Sequence, residues 1–296
     1  MNRIFHRLAA FGAFALFGAG TVRADVFYTT DTTVRASLPE GAYIGYANYN
    51  DLNHRTNPSS PTVTLASGGG FAFLSIVYNN SMVNVSGGFF GGGLVAYNNS
   101  AVNLSAGFIH DTFIAYDSSA VNVSGGSIDS GLITENDTTA NISGGSIFTL
   151  YTYNRATVNI SGGAISGGLN AANNSTVNVS GGAIVDGLSG LDSSIVNIRG
   201  GNFSNGLFVL DNSTFNFFGA GLTAPLTDAN FGPYSAYALS GTLTDGTVIN
   251  QQLLVQNGTA ARFFLNPSAV PEPGSIALLV SMTAVGAGVL RRKRRK

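Results

Sequence analysis

The sequence contains no cysteine and no tryptophan, and only 10% of its 296 residues are charged. Without cysteine the chain can form neither a disulfide framework nor a thiolate metal site. Of the three histidines, one is in the N-terminal segment, and His54 and His110 have no companions at metal-ligand spacing. The sequence therefore predicts no metal site and no cofactor.

Basic residues are scarce between the two ends of the chain. Nine of the 14 lie in residues 1–24 and 291–296, so residues 25–290 carry five arginines against all 15 acidic residues, a net charge of −10. An acidic surface repels phosphate backbones. Nucleic acid is accordingly not an expected partner.

The N-terminal segment has the pattern of a secretory signal. Two arginines precede an uncharged, mostly apolar stretch at residues 8–19, and a small-residue cleavage pattern ends at Ala24. Residues 1–24 are therefore predicted to be a signal peptide, cut between Ala24 and Asp25. The alternative of a membrane anchor is weaker, because the apolar stretch is too short to span about 30 Å of hydrocarbon.

The C-terminal segment contains a second apolar stretch. Residues 274–290 are uncharged and mostly apolar, and as a helix they would reach about 25 Å, close to the length needed to cross a bilayer. The basic run at residues 291–296 would hold the C-terminus in the cytoplasm. Everything before Gly274 would then lie outside the inner membrane.

Pro271, Glu272 and Pro273 directly precede this stretch. The tripeptide, the apolar span and the arginine-rich end together resemble the PEP-CTERM sorting signal of exported bacterial proteins, over residues 269–296. The resemblance implies a Gram-negative host that makes extracellular polysaccharide. It also implies recognition by an exosortase, a membrane transpeptidase-like protease that processes near the tripeptide. The alternative is a plain C-terminal membrane anchor with a chance Pro-Glu-Pro.

Between these segments one motif recurs, with an asparagine every 19 residues except for one interval of 18 between Asn141 and Asn159. A constant period predicts stacked repeats. Two tandem glycines, an Asn/Asp-rich corner and β-branched residues in each copy fit three short strands with turns. The motif asparagines are Asn84, Asn103, Asn122, Asn141, Asn159, Asn178, Asn197 and Asn216.

Because the period is odd, the side of the chain that faces inward must switch once per coil. The Ser-Gly-Gly step is the expected place, since glycine permits the positive φ of a bulge. Stacking then predicts ladders of like residues about 4.8 Å apart. The expected ladders are Val83, Val102, Val121, Val158, Val177 and Val196; Leu94, Phe113, Leu132, Leu150, Leu169, Leu188 and Leu207; and, at the corner, Asn79, Asn98, Asp117, Asn136, Asn154, Asn173, Asp192 and Asp211.

The predicted fold class is all-β: a single-stranded parallel β-helix (β-solenoid) of coils of about 19 residues with capped ends. A signal helix and a C-terminal transmembrane helix are predicted in addition. An antiparallel hairpin is expected at residues 237–255, with Asp245 and Gly246 at its turn. The repeats also resemble the parallel β-helix passengers of bacterial autotransporters, over residues 63–218. The predicted units are a signal peptide 1–24, an N-terminal cap 25–62, β-solenoid repeats 63–221, a C-terminal β cap 222–268 and a sorting and anchor segment 269–296.

One cluster has residue types suited to catalysis. Asp111 follows His110, and Asp129 lies in the next coil. Retaining glycosidases use two carboxyls about 5–5.5 Å apart, a separation that acids on neighbouring coils could provide. Arg155 and Arg199 lie one or more coils away, which disfavours a lyase that needs a basic residue beside the acids.

We therefore expect a non-catalytic structural or adhesive protein, exported to the cell surface or extracellular matrix and associated with exopolysaccharide. Its expected partners are an exosortase-like processing enzyme, the inner membrane through the C-terminal helix, and extracellular polysaccharide. The alternative is a polysaccharide lyase or glycoside hydrolase on a parallel β-helix, which would use Asp111 and Asp129.

Overall fold

The computed structural model describes residues 26–28, 31–35, 37–38, 42–44 and 60–267. These residues form strands and turns without a helix. Most strands pair in parallel with the strand one coil further along, as Val102 pairs with Val121 and Val158 with Val177. The prediction of an all-β parallel solenoid with coils of about 19 residues is confirmed for this part of the chain.

The strands follow in chain order, and their bounds are given coil by coil. The first are β1 (Val26–Tyr28), β2 (Thr32–Val34), β3 (Ser37–Leu38), β4 (Ala42–Ile44), β5 (Thr62–Leu65), β6 (Gly70–Phe71), β7 (Ser75–Val77), β8 (Met82–Phe90) and β9 (Leu94–Ala96). The middle coils contain β10 (Ala101–Ile109), β11 (Thr112–Ala115), β12 (Ala120–Val123), β13 (Ser127–Ile128), β14 (Gly131–Thr134), β15 (Thr139–Ile147), β16 (Leu150–Thr152), β17 (Thr157–Ile165) and β18 (Leu169–Ala171). The last are β19 (Thr176–Ile184), β20 (Leu188–Gly190), β21 (Ile195–Phe203), β22 (Leu207–Val209), β23 (Thr214–Thr223), β24 (Leu226–Phe231), β25 (Tyr234–Leu243), β26 (Val248–Gln256) and β27 (Arg262–Pro267).

Each central coil contributes to three parallel sheets. The first half of a long strand such as β17 carries the motif asparagine, and we call its sheet the Asn sheet. The second half, after the Gly-Gly step, belongs to the Ile sheet, named for buried residues such as Ile165. The short strand that follows, such as β18, belongs to the Leu sheet, where Leu169 pairs with Leu150 and Leu188. The coil β12, β13 and β14 shows all three segments as separate strands.

The inward side of the chain switches at the Ser-Gly-Gly step, as predicted. In β17, Val158 and Ile160 are buried, whereas the next buried side chain of the strand is Ile165, at the opposite parity. Gly163, between them, has φ = 80°, a conformation that side chains with a Cβ rarely adopt. The pairing between β15 and β17 is irregular at the same place.

The core is a set of continuous ladders. The valine and leucine files occupy matching positions in successive coils, with Ala140 filling the valine file between Val121 and Val158. Each predicted member of the two files is buried, at 0–1% exposure. Since each coil contributes only a few apolar side chains, burial depends on the coils above and below.

The single 18-residue interval is accommodated at one turn. Ile147 pairs with Ile128 and Leu150 with Leu132, so register is kept on both sides of the turn. Leu150 is the third residue after Ile147, whereas Leu132 is the fourth residue after Ile128. The missing residue therefore belongs to the turn between the Ile and Leu sheets, outside the core.

Both ends of the repeat region continue the parallel pairing. At the N-terminal end β2 pairs with β5 and β4 with β7, so these two strands stack on the first repeats. At the C-terminal end β26 pairs with β22 and β27 with β23. Strands β25 and β26 form the expected antiparallel hairpin, with Asp245 and Gly246 in its turn.

Candidate functional site

The motif asparagines form a hydrogen-bonded ladder on the outside of the Asn sheet. In each of seven steps the side-chain Nδ2 donates to the Oδ1 of the asparagine in the preceding coil, at 2.8–2.9 Å. All seven bonds point the same way along the rod. The recurring asparagine thus joins coils, a structural role that its surface position alone does not reveal.

Of the eight predicted corner residues, those from Asp117 to Asp211 form a second polar ladder. All eight have φ between 49° and 59°, which asparagine and aspartate tolerate better than most residues. Asn154 Nδ2 donates to Asn136 Oδ1 at 3.2 Å, and Asn173 Nδ2 donates to Asn154 Oδ1 at 3.1 Å. Further on, the Asn173 backbone N–H donates to Asp192 Oδ2 at 3.1 Å. These residue types are therefore required by the turn and by the bonds between coils.

The serine of the motif also bonds to the preceding coil. Ser105 Oγ donates to the Val85 carbonyl and Ser180 Oγ to the Ile160 carbonyl, each at 3.2 Å. In the last copies Arg199 and Phe218 replace this serine, and the Arg199 guanidinium lies 3.9 Å from the centre of the Phe218 ring. In copies such as Asn103-Leu104-Ser105, both the asparagine and the serine thus bond to the preceding coil.

The structure pairs Asp129 with His110 across neighbouring coils. His110 Nδ1 lies 2.8 Å from Asp129 Oδ2, and Ser127 Oγ donates to Asp129 Oδ1 at 2.7 Å. Asp111 instead accepts the Thr112 backbone N–H at its own Oδ1, at 2.7 Å. The two aspartates proposed as a catalytic pair are thus engaged with different partners.

Aromatic side chains lie beside this pair on the outside of the Ile sheet. The Phe89 and Phe108 rings stack at 5.5 Å, and the Phe108 ring is 4.7 Å from the His110 ring. Phe148 follows Ile147 as Asp129 follows Ile128, so it occupies the next rung, with 52% of its surface exposed. This aromatic group was not among the predicted sites, although the 19-residue separations of Phe89 from Phe108 and of His110 from Asp129 indicate it.

Three tyrosines stack at the corner between the Leu and Asn sheets. Tyr97 lies 5.0 Å from Tyr78 and 5.1 Å from Tyr116, measured between ring centres. Burial, with a smaller contribution from the charge of Glu135, raises the pKa of Tyr116 to about 12. Tyr116 therefore stays protonated at neutral pH and serves as a packing residue.

An exposed ion pair joins two further coils. Arg155 Nε and Nη2 donate to the two carboxylate oxygens of Asp137, each at 2.7 Å. The hydrogen bonds from Arg155 hold the pKa of the Asp137 carboxyl below its usual value. Because both side chains are exposed to water, the pair adds little to stability. Within the described ranges, no group of three or more histidine, aspartate or glutamate side chains is arranged to hold a metal ion.

The predicted sorting and cleavage residues lie outside the described residues. This applies to Ala24 and Asp25 at the signal-peptide cleavage site, and to Pro271, Glu272 and Pro273. It applies as well to the apolar stretch at residues 274–290. Among the residues that the structure does describe, no helix has the length and hydropathy to span a membrane.

The fold places the described part of the chain among parallel β-solenoid repeat proteins. Comparison with known proteins adds no assignment to a family: no family model, no curated protein and no solved structure matches the chain.

Proposed function

We propose that this chain is an exported, non-catalytic structural or adhesive protein of the cell surface or extracellular matrix of a Gram-negative bacterium. In this proposal residues 1–24 form a signal helix that is removed, and residues 274–290 form a helix that holds the chain transiently in the inner membrane. An exosortase-like enzyme processes the chain near Pro271, Glu272 and Pro273. The solenoid body then associates with extracellular polysaccharide.

The observation that carries the proposal is the order of the C-terminal residues. The tripeptide, the apolar span and the basic run occur in this order, and three residues separate the tripeptide from the last described strand, which ends at Pro267. An apolar span alone supports retention in a membrane. The tripeptide, through the resemblance to PEP-CTERM signals, supports processing.

The use of polar side chains in the solenoid supports a structural role. The outward asparagines, several corner residues and several motif serines bond to neighbouring coils. The carboxyls of Asp111 and Asp129 accept hydrogen bonds from Thr112 and Ser127, respectively. A glycosidase would use two carboxyls in concert, so this arrangement favours the non-catalytic proposal.

Export and processing can be tested in a Gram-negative host that carries an exosortase. We expect the full chain with Glu272→Ala to be exported normally but to accumulate as the unprocessed, membrane-bound form. Removal of residues 274–296 should release the body into the periplasm. Intact mass and cell fractionation measure both results.

Ser268→Ala is the matched control, because it removes a polar side chain close to the tripeptide but outside it. This variant should be processed like the wild type. Unchanged processing of Glu272→Ala would contradict the sorting proposal and leave a simple membrane anchor.

A further inference from the structure

A short track of aromatic and polar side chains follows the rod axis on the outside of the Ile sheet. We call Phe89, Phe108, His110, Asp129 and Phe148 the aromatic track. Register places them on four successive coils, since Phe89 pairs with Phe108, and Ile109, Ile128 and Ile147 are successive members of one ladder. With strands about 4.8 Å apart, the track is about 14 Å long.

The polar groups in the track are held in place. Asp129 is bonded through both oxygens, to His110 Nδ1 at 2.8 Å and to Ser127 Oγ at 2.7 Å. The side chains of His110 and Asp129 nevertheless remain 60% and 40% exposed. Each carboxylate oxygen of Asp129 has a further lone pair, and the His110 ring has a second nitrogen besides Nδ1. Both groups therefore have hydrogen-bonding capacity for a ligand at the surface.

The rings beside these groups present apolar surface. Phe89 stacks on one face of Phe108, but the next rung of that file is Ser127, which is too small to continue the stack. Phe148 occupies the rung after Asp129 and is 52% exposed. The Phe148 ring lies against Gly167 of the following coil, because a Cβ added to that glycine would be 3.3 Å from the ring.

We propose that the aromatic track binds a neutral polysaccharide chain, which runs along the rod axis. Sugar rings have apolar C–H faces that pack on aromatic rings, and hydroxyls that bond to fixed polar groups, which are the two features the track combines. The net charge of −10 for residues 25–290 disfavours polyanionic glycans. This inference rests on the proposed association with polysaccharide and names its site and its ligand class.

Affinity electrophoresis tests the inference. The full chain is kept in a detergent that has no sugar headgroup. The probes are hydroxyethyl cellulose, galactomannan and dextran as neutral polymers, and alginate as a polyanion. We expect at least one neutral polymer to retard the wild-type chain and alginate to leave it unretarded. Phe108→Ala and Phe148→Ala should each weaken the retardation by about fivefold, and Asp129→Asn should weaken it as well.

Phe264→Ala is the matched control, because Phe264 is 48% exposed on β27, away from the track. It should bind like the wild type. Circular dichroism checks the fold of each variant; if Phe108→Ala unfolds, the more exposed Phe148 provides the test.

The outcomes separate the two proposals. Wild-type affinity in the folded track variants would refute the track and leave polysaccharide association standing. Failure of the wild type to bind any polymer would refute both the track and that association. Processing near Glu272 is measured separately, by intact mass and cell fractionation, so this outcome leaves the sorting proposal unaffected. Equal or stronger retardation by alginate would refute the preference for neutral chains.

Discussion

Replacement of Val121 by aspartate tests the inward side of the Asn sheet. Val121 is fully buried and lies between Val102 and Ala140 in the neighbouring coils. Loss of the buried valine costs about 1.5–3 kcal/mol. A carboxyl in the same space, even when protonated, lacks hydrogen-bond partners, which adds at least about 2 kcal/mol. The free energy of unfolding should fall by more than about 3 kcal/mol.

The next residue provides a matched control. Asn122 faces outward, donates to Asn103 Oδ1 at 2.8 Å and accepts from Asn141 Nδ2 at 2.9 Å. Asn122→Asp introduces the same side chain, loses one donor and keeps the acceptor, which should cost about 1–2 kcal/mol. The carboxylate also remains in contact with water.

Denaturant unfolding of the full chain, followed by far-ultraviolet circular dichroism, compares the two variants. The Val121→Asp midpoint should lie well below that of Asn122→Asp, with little change in slope if both unfold like the wild type. Equal shifts would mean that the assignment of inward and outward residues is wrong. A larger shift for Asn122→Asp would mean that the asparagine ladder outweighs the apolar core.

Two further predictions concern the coil turn and the tyrosine stack. Gly163→Ala should destabilise the chain by more than about 2 kcal/mol, because φ is 80° and the added Cβ would lie 2.8 Å from the Gly144 carbonyl oxygen. Gly258→Ala, at φ = 71° with nothing within 4 Å, should cost only about 1 kcal/mol; equal unfolding midpoints would contradict the proposed clash. Since the pKa of Tyr116 is raised from 10.0 to about 12, its contribution to stability is complete below pH 10 and is lost as the pH rises toward 12. Tyr116→Phe should reduce this loss in unfolding measured against pH, and an unchanged profile would contradict it.

Regular spacing is what made the ladders predictable from the sequence. Residues such as Leu169 and Leu188 are 19 apart and fall on one rung wherever the coil length is constant. Spacing also limits the position of the missing residue, because the step from Leu132 to Leu150 in the leucine ladder is already 18 residues long. Pairing of Ile147 with Ile128 then confines the missing residue to the turn between Ile147 and Leu150, which spacing in one ladder alone does not show.

The candidate site illustrates the same distinction. Asp111 and Asp129 were predicted to form a pair, yet they are 18 residues apart, and Asp111 shares its rung with Ser130. His110 and Asp129 are 19 apart and pair. Counting along the coil thus predicts which side chains are neighbours. The rotamers that bring Ser127 and His110 onto one carboxylate depend on packing, which the spacing does not encode.

The constant register of the coils makes the length of the rod adjustable. Removal of residues 157–175 would join Ala156 to Thr176, and Asn178 would then meet Asn141 with the same hydrogen bond that Asn159 now makes. The rod would shorten by one strand spacing, about 4.8 Å, and both of its ends would keep their present surfaces. Duplication of a copy would lengthen it by the same step. The distance that the rod spans can therefore change in evolution through gain or loss of whole repeats. The junction would need no new interface, because it reuses the existing contacts between coils.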